Sequence, residues 1–199
     1  MRAIKVATED PNAYYRIVSR LKRTHLQFSS AVGELPTGRD LVITSRNETP
    51  KFEGLVVAIE DLDEDPLVME GQLLSRLVDR SRRNLLVGID PGSRIGLAVF
   101  YGGIEFGALT TGSAEGLVSM VVRVASRVPH SAFSVKIGGG EPRSSLRLAR
   151  MLRRRLPEDS LIEIVDESGT SRGRSGAMGA ARDQRAAARI AYRKGVRFI

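Results

Sequence analysis

Acidic residues stand at four ends of predicted elements in the second half of the chain. Asp90 closes an apolar strand, Glu141 precedes a helix, Asp166 and Glu167 follow another strand, and Asp183 opens the last helix. The C-terminal ends of neighbouring parallel strands share one sheet edge, where ligands commonly bind. Carboxylates that converge there repel one another unless a cation lies between them, and hard oxygen ligands suit Mg²⁺ or Mn²⁺. The pattern predicts a divalent-metal site.

Asp183 bears most directly on this prediction. Together with Ala186, Ala187 and Ile190 it follows the spacing i, i+3, i+4, i+7, which places it on the helix face that packs against the sheet. A carboxylate on a packing face is costly without a partner. The partner is either a metal or, as an equally open alternative, an arginine or the helix dipole.

The other acids have competing interpretations as well. Glu141 directly precedes Pro142, where a negative charge favours a helix N-terminus. Asp166 and Glu167 are adjacent, so strand alternation sends them to opposite faces and only one is expected at a shared metal.

Arginines accompany these acids. Arg143, Arg147, Arg150 and Arg154 recur at i, i+4, i+7 and i+11, a ridge that suits a phosphate backbone or is simply a solvated helix face. Arg172 and Arg174 lie in a Gly- and Ser-rich stretch and either add phosphate contacts or keep that loop soluble.

The elements that position these residues follow from hydrophobic periodicity. The second half predicts the order β-β-β-α-β-α-β-α, with the first three strands forming an antiparallel meander. The predicted strands are 85–90, 95–101, 104–110, 133–137 and 161–165, and the predicted helices are 114–127, one from Pro142, and 180–194 with Gly195 as its C′ residue, after a loop at 168–178.

The first half predicts a small α/β domain at 1–83, followed by a second domain at 84–199. Asp10-Pro11 and Asp65-Pro66 each supply an N-cap followed by a proline at the first helical position. Short apolar strands are predicted at 3–6, 41–44 and 55–59, and the acidic segment 60–65 as a solvated loop, with a Mg²⁺ site as its alternative. Nothing in this half identifies a chemistry.

Charge is divided unequally along the chain. Residues 1–84 hold 13 Lys/Arg and 13 Asp/Glu, whereas residues 85–199 hold 18 and 10, so the whole net charge of +8 lies in the second half. This indicates a polyanionic partner, with nucleic acid as the first candidate. The absence of cysteine excludes disulfides and thiolate chemistry, and the lack of a long apolar run or secretory signal predicts a cytoplasmic protein without a membrane span.

Three motifs carry a family resemblance. Val87–Ala98, Val165–Ser171 and Asp183–Ala191 resemble, in order, the first hairpin, the Asp-Glu strand end and the last helix of the RuvC-type resolvases and their YqgF relatives. The resemblance covers about residues 85–195. It implies an α/β fold with a ribonuclease H-like mixed five-stranded sheet and flanking helices.

The resemblance also implies a function. Asp90, Glu167 and Asp183 would be catalytic and metal-binding, with Glu141 and Asp166 as further metal contacts, in a Mg²⁺- or Mn²⁺-dependent nuclease. Structured RNA is preferred over DNA as substrate, and a homodimer is allowed. Ser168 and Ala186 depart from the family pattern.

Four alternatives remain open at this stage. The first is a nucleic-acid-binding protein of the same fold that has lost catalysis, and the second is a DNA junction resolvase. The third is an actin-like ATPase, because GIDPGS at 88–93 also resembles a phosphate loop, although the chain shows no second such loop. The fourth, a hydrolase triad, receives little support because neither histidine accompanies a nucleophile motif.

Overall fold

The computed structural model describes residues 2–31, 36–166 and 179–199. The chain is an α/β protein that divides into two compact units, Met1–Asp79 (unit 1) and Arg80–Ile199 (unit 2). Among the described residues, no helix is both long and apolar enough to cross a bilayer.

Unit 1 contains a parallel four-stranded sheet in the order β2-β1-β3-β4. Its elements are β1 Ile4–Val6, α1 Pro11–Leu21, β2 Ser29–Ser30, β3 Leu41–Thr44, a 3₁₀ helix Arg46–Lys51, β4 Leu55–Ala58, a second 3₁₀ helix Ile59–Asp61, and α2 Pro66–Leu77. All four residues of β3 are buried, as expected for a central strand covered on both faces.

Both predicted N-caps of unit 1 are present. The Asp10 carboxylate accepts a hydrogen bond from the Asn12 amide at 2.9 Å, and the Asp65 carboxylate accepts one from the Leu67 amide at 3.0 Å. These contacts satisfy amides that a helix leaves unpaired in its first turn. β2 was not predicted, because two serines give no periodic signal.

Unit 2 contains a mixed six-stranded sheet in the order β10-β9-β8-β5-β6-β7. Its elements are β5 Asn84–Asp90, β6 Ile95–Tyr101, β7 Ile104–Thr111, α3 Ala114–Arg127, β8 Ala132–Gly138, α4 Pro142–Arg153, β9 Leu161–Val165, α5 Ala180–Ala191 and β10 Gly195–Arg197, together with a short 3₁₀ helix Arg80–Arg82. β5, β6 and β7 form the predicted antiparallel meander, and β8 and β9 run parallel to β5.

The central strands β5 and β6 of the unit 2 sheet are buried on both faces. Helix α5 packs on β5 and β6, where Ala98 and Phe100 form a cluster with Ala187 and Ala191. Residues of the alternate face of β5, such as Val87 and Ile89, are fully buried too. Helix α3 contacts β6 and β7, and helix α4 contacts β8 and β9. Burial on both faces explains why the sequence of β5 is apolar at consecutive positions.

Two predictions for the C-terminal end of unit 2 are wrong. The sheet has six strands rather than five, and Gly195 begins β10 instead of terminating the last helix, which ends at Ala191. β10 pairs antiparallel with β9, and a Cβ on Gly195 would lie 2.8 Å from the Ile164 carbonyl oxygen. The glycine therefore permits a close strand approach, which from sequence alone is indistinguishable from a helix stop. The predicted loop at 168–178 lies outside the described residues.

Candidate functional site

Asp90 and Asp183 both lie next to Gly96 at one edge of the unit 2 sheet. Asp90 is the last residue of β5 and lies directly opposite Gly96 on β6. A Cβ on Gly96 would lie 2.2 Å from the carbonyl oxygen of Asp183 and 3.2 Å from its Cβ. Directly opposite residues of an antiparallel pair project to the same face, so Asp90 and Asp183 approach the same point from strand and helix.

The same close packing continues along α5. A Cβ on Gly88 would lie 2.1 Å from the Ala187 carbonyl oxygen and 2.9 Å from the Ala191 side chain. Contacts this short require glycine on the strand, and small residues on the helix let the two backbones approach. Close packing thus accounts for Gly88 and Gly96 in the first motif and for Ala187 and Ala191 in the last.

The remaining predicted acids are not brought into one described cluster. Glu141 is exposed at the start of α4, and its carboxylate accepts a hydrogen bond from the Ser144 hydroxyl at 3.2 Å. The carbonyl oxygen of Asp166 accepts a hydrogen bond from Arg193 at 3.4 Å. Glu167 lies outside the described residues. Within 2–31, 36–166 and 179–199, no group of three or more His, Asp or Glu side chains is placed to hold a metal.

The predicted arginine ridge is exposed on and just after α4. Arg143, Arg147, Arg150 and Arg154 are all exposed, and Arg147 donates a hydrogen bond to Glu115 at 2.9 Å. Both partners of that ion pair are 66% exposed, so the contact does not remove Arg147 from solvent. Arg172 and Arg174 lie outside the described residues. The exposed arginines make this helix surface basic, and contacts from such side chains to phosphate would carry no sequence information.

A second site, which the sequence analysis missed, lies at the carboxyl edge of the unit 1 sheet. The strand order reverses between β1 and β3, and this switch point is where doubly wound sheets place their ligands. The Glu48 carboxylate lies there, buried, and accepts hydrogen bonds from the Glu9 amide at 2.9 Å, the Ser45 hydroxyl at 3.1 Å and the Thr44 hydroxyl at 3.2 Å. The Lys51 ammonium lies 3.7 Å from the same carboxylate.

These donors hold Glu48 in its charged form. A hydrogen bond from the Thr8 hydroxyl, joined by those from the Glu9 amide, Ser45 and Thr44, lowers the pKa of Glu48 from 4.5 to about 2, against the opposing effect of burial. The available sequence signal was Ser45-Arg46-Asn47-Glu48, which has the spacing of a capping box. In the structure Glu48 instead reaches across to β1, a long-range contact that spacing does not predict.

The acidic segment 60–65 of unit 1 is held by arginines. Glu60 forms an ion pair with Arg16 and accepts a hydrogen bond from the Arg46 amide at 3.0 Å, while Asp61 pairs with Arg46. The Arg20 guanidinium donates to the carbonyl oxygens of Ile59, Leu62 and Asp63 at 2.6–3.0 Å. These contacts favour a structural role for the segment.

Comparison with known protein families places a match in unit 1. A family model described as a response regulator receiver-like domain matches residues 3–70, which include the four strands of the unit 1 sheet, α1 and the first residues of α2. No curated protein and no solved structure matches the chain.

This match corrects the sequence-based identification. The assignment to the RuvC and YqgF family, and with it the prediction of a metal-dependent nuclease, is wrong: the family indicated is receiver-like and lies in the half that the resemblance left out. The physical reason lies in α5, because small residues that allow close helix–sheet packing were interpreted as a catalytic signature. A fold-compatible motif does not specify a reaction.

Proposed function

We propose that this chain is a two-part signalling protein, in which unit 1 is a receiver-like regulatory module and unit 2 is an output module that binds nucleic acid. The match of residues 3–70 to a receiver-like domain carries the proposal. The unit 1 sheet supports it, because β2-β1-β3-β4 repeats the first four strands of the flavodoxin-like order 2-1-3-4-5.

Charge supports the output role of unit 2. Unit 1 holds 10 Lys/Arg and 13 Asp/Glu, a net of −3, whereas unit 2 holds 21 and 10, a net of +11. A strongly basic unit beside an acidic one favours a polyanion at the basic unit alone. The exposed ridge on α4 offers four guanidinium groups to a phosphate backbone. We also propose that the unit 2 sheet is ribonuclease H-like in its fold, and this likeness carries no reaction with it.

Nucleic-acid binding is tested by charge reversal on the ridge. The full chain is titrated into a fluorescent single-stranded RNA between 50 and 200 mM KCl, with Arg143→Glu/Arg150→Glu as the test variant and Arg39→Glu/Arg76→Glu as the control. The control makes the same charge change at exposed positions of unit 1. We expect the ridge variant to bind RNA at least about tenfold more weakly. The slope of log affinity against log salt concentration should become shallower by about 0.7 for each lost phosphate contact. Equal losses in both variants, or no RNA binding at all, would contradict the proposal.

Regulation by unit 1 is tested by its effect on the same affinity. Glu48→Gln perturbs the carboxyl edge of unit 1, and Glu53→Gln makes the same chemical change at an exposed position nearby in sequence. Coupling between two sites typically changes affinity about 5- to 150-fold. We expect Glu48→Gln to shift the RNA affinity within that range and Glu53→Gln to leave it unchanged. If neither substitution changes the RNA affinity, unit 1 does not regulate RNA binding.

A second candidate property of unit 2 is divalent-cation binding by Asp90 and Asp183, favoured by their common approach to Gly96. The described residues supply this pair and no third ligand, so we expect weak binding. Mn²⁺ should raise the unfolding temperature of the wild-type protein but not of Asp90→Asn or Asp183→Asn, with the exposed Asp159→Asn as control. The same Mn²⁺ response in all four proteins would rule out this site.

A further inference from the structure

The Glu48 carboxylate is surrounded by donors from three segments of unit 1. The Glu9 amide and the Thr8 hydroxyl follow β1, and the Thr44 and Ser45 hydroxyls lie at the end of β3. Lys51, at the end of the 3₁₀ helix, places its ammonium 3.7 Å from the Glu48 carboxylate and donates a hydrogen bond to the Glu9 carboxylate at 2.6 Å. The donors comprise one backbone N–H, three hydroxyls and one ammonium group. Donors of this kind, converging on one point, are what a protein uses to bind an oxyanion.

The anion in this case comes from the chain itself. An unpaired buried carboxylate is strongly disfavoured, so the donors and Glu48 require each other in the folded unit. Their location is the β1/β3 switch point, where a doubly wound sheet leaves a crevice for a ligand. Glu48 therefore occupies a position that the architecture offers to an external molecule.

We propose that these five donors form an oxyanion-binding site in unit 1 and that the Glu48 carboxylate fills it as a built-in ligand. The external ligand has the chemistry of a phosphate or a carboxylate, and it competes with Glu48 for the same donors. The site belongs to unit 1 alone, so the inference holds whether or not unit 1 regulates unit 2.

The segment that carries Glu48 is suited to such an exchange. It is a six-residue 3₁₀ helix, a geometry with weaker hydrogen bonds than an α-helix, and Pro50 inside it has no amide to donate. The Glu48 side chain is 11% exposed and Lys51 is 48% exposed, so the site borders solvent. A tethered ligand acts at an effective concentration of about millimolar or more, which favours the internal carboxylate over a dilute external anion.

The test removes the internal ligand and supplies an external one. In ¹⁵N-labelled full-length Glu48→Ala protein, the Glu9 amide resonance is followed during titration with sodium phosphate and, separately, sodium acetate, each against sodium chloride of equal ionic strength. We expect a saturable return of the Glu9 amide towards its wild-type shift, with a parallel rise in unfolding temperature. The wild-type protein should need at least about tenfold more anion for any comparable response.

One control and one replacement variant complete the experiment. Glu53→Ala removes an exposed carboxylate from the same unit and should respond to phosphate as the wild type does. If Glu48→Ala does not fold, Glu48→Gln replaces it, since the amide keeps the shape but loses the charge and should yield the site to phosphate at lower concentration than the wild-type carboxylate. A response that is linear, that chloride reproduces, or that is equal in wild type and the Glu48 variants would overturn the proposal.

Discussion

The carboxyl edges of the two sheets use acidic residues in opposite ways. In unit 1 the Glu48 carboxylate is buried among donors that arise from β1, β3 and a 3₁₀ helix. In unit 2 two acidic residues, Asp90 on a strand and Asp183 on a helix, lie next to Gly96. The same architectural position thus holds one anion among donors in one unit and a pair of acids in the other. At an edge of the first kind the donors stabilise the charge, whereas at an edge of the second kind two like charges oppose each other.

The position of Asp183 at the unit 2 edge depends on the close approach of α5 to β6. Gly96→Ala tests this approach and has the largest expected effect. The added Cβ would overlap the Asp183 backbone oxygen at 2.2 Å, so α5 must shift. We expect a loss of about 3 kcal/mol or more in the free energy of unfolding of unit 2, at the upper end for overpacking. Urea unfolding, monitored by hydrogen exchange of the α5 amides, measures this loss of free energy.

The matched control is Gly112→Ala, because nothing lies within 4 Å of a Cβ at that position. It should change the stability by less than about 0.5 kcal/mol, as is usual for surface substitutions. Equal effects of the two substitutions would mean that α5 is not held against Gly96, and the pairing of Asp90 with Asp183 would lose its basis.

The two edges should respond with opposite sign to removal of a charge. Glu48→Gln replaces an acceptor of several hydrogen bonds with an amide that cannot satisfy all of the donors, which should cost about 1–3 kcal/mol. Asp183→Asn removes one of two like charges and, in EDTA, should leave stability unchanged or raise it. Denaturant unfolding of both variants measures the difference. Destabilisation of both proteins by similar amounts would mean that the edges are alike.

Unit 1 contains a second buried carboxylate, Glu70, whose pH dependence should oppose that of Glu48. The lowered pKa of Glu48, about 2, means that its contribution to stability is present above its unfolded value of 4.5 and is lost as pH falls towards 2. Burial raises the pKa of Glu70, despite the hydrogen bonds from His25, so stability falls as pH rises above the unfolded value of 4.5.

These two slopes predict a stability maximum of unit 1 in mildly acidic solution, measured by thermal unfolding between pH 2 and 8. Glu70→Gln should flatten the alkaline side, and Glu48→Gln should flatten the acidic side. If Glu70→Gln instead changes the acidic limb, the assignment of the two slopes is wrong.

Local signals predicted most of the fold. The bounds of β3, β6, α3 and β9 follow from apolar periodicity, and the starts of α1 and α2 follow from their Asp-Pro caps. Strand β10 was not predicted because its three residues, Gly195–Arg197, are too few to carry a periodic signal. Strand order is a non-local property, and only in the meander of unit 2 do short connections make it local.

The sites were harder to predict than the fold. Asp90 and Asp183 were predicted because each stands at an element end and Asp183 also lies on a packing face, which are local properties. Glu48 was missed because its main partners, Thr8 and Glu9, are about forty residues away and reach it only through parallel pairing of β1 with β3. The nuclease assignment failed for a related reason: glycine and alanine motifs report close packing, and packing is shared by proteins of many functions.

The smallest expected effect on stability concerns Arg147, whose ion pair with Glu115 is fully at the surface of unit 2. Arg147→Ala should change the free energy of unfolding by less than about 1 kcal/mol, because exposed pairs contribute little, yet should lower the RNA salt slope by about 0.7. Arg153→Ala is the contrasting variant, since that guanidinium donates to the carbonyl oxygens of Pro157, Glu158 and Ser160 at the end of α4. Arg153→Ala should lose more stability than Arg147→Ala and should keep the wild-type salt slope of RNA binding. If the two variants exchanged these effects, the ridge would be a structural feature, and unit 2 would bind its polyanion elsewhere.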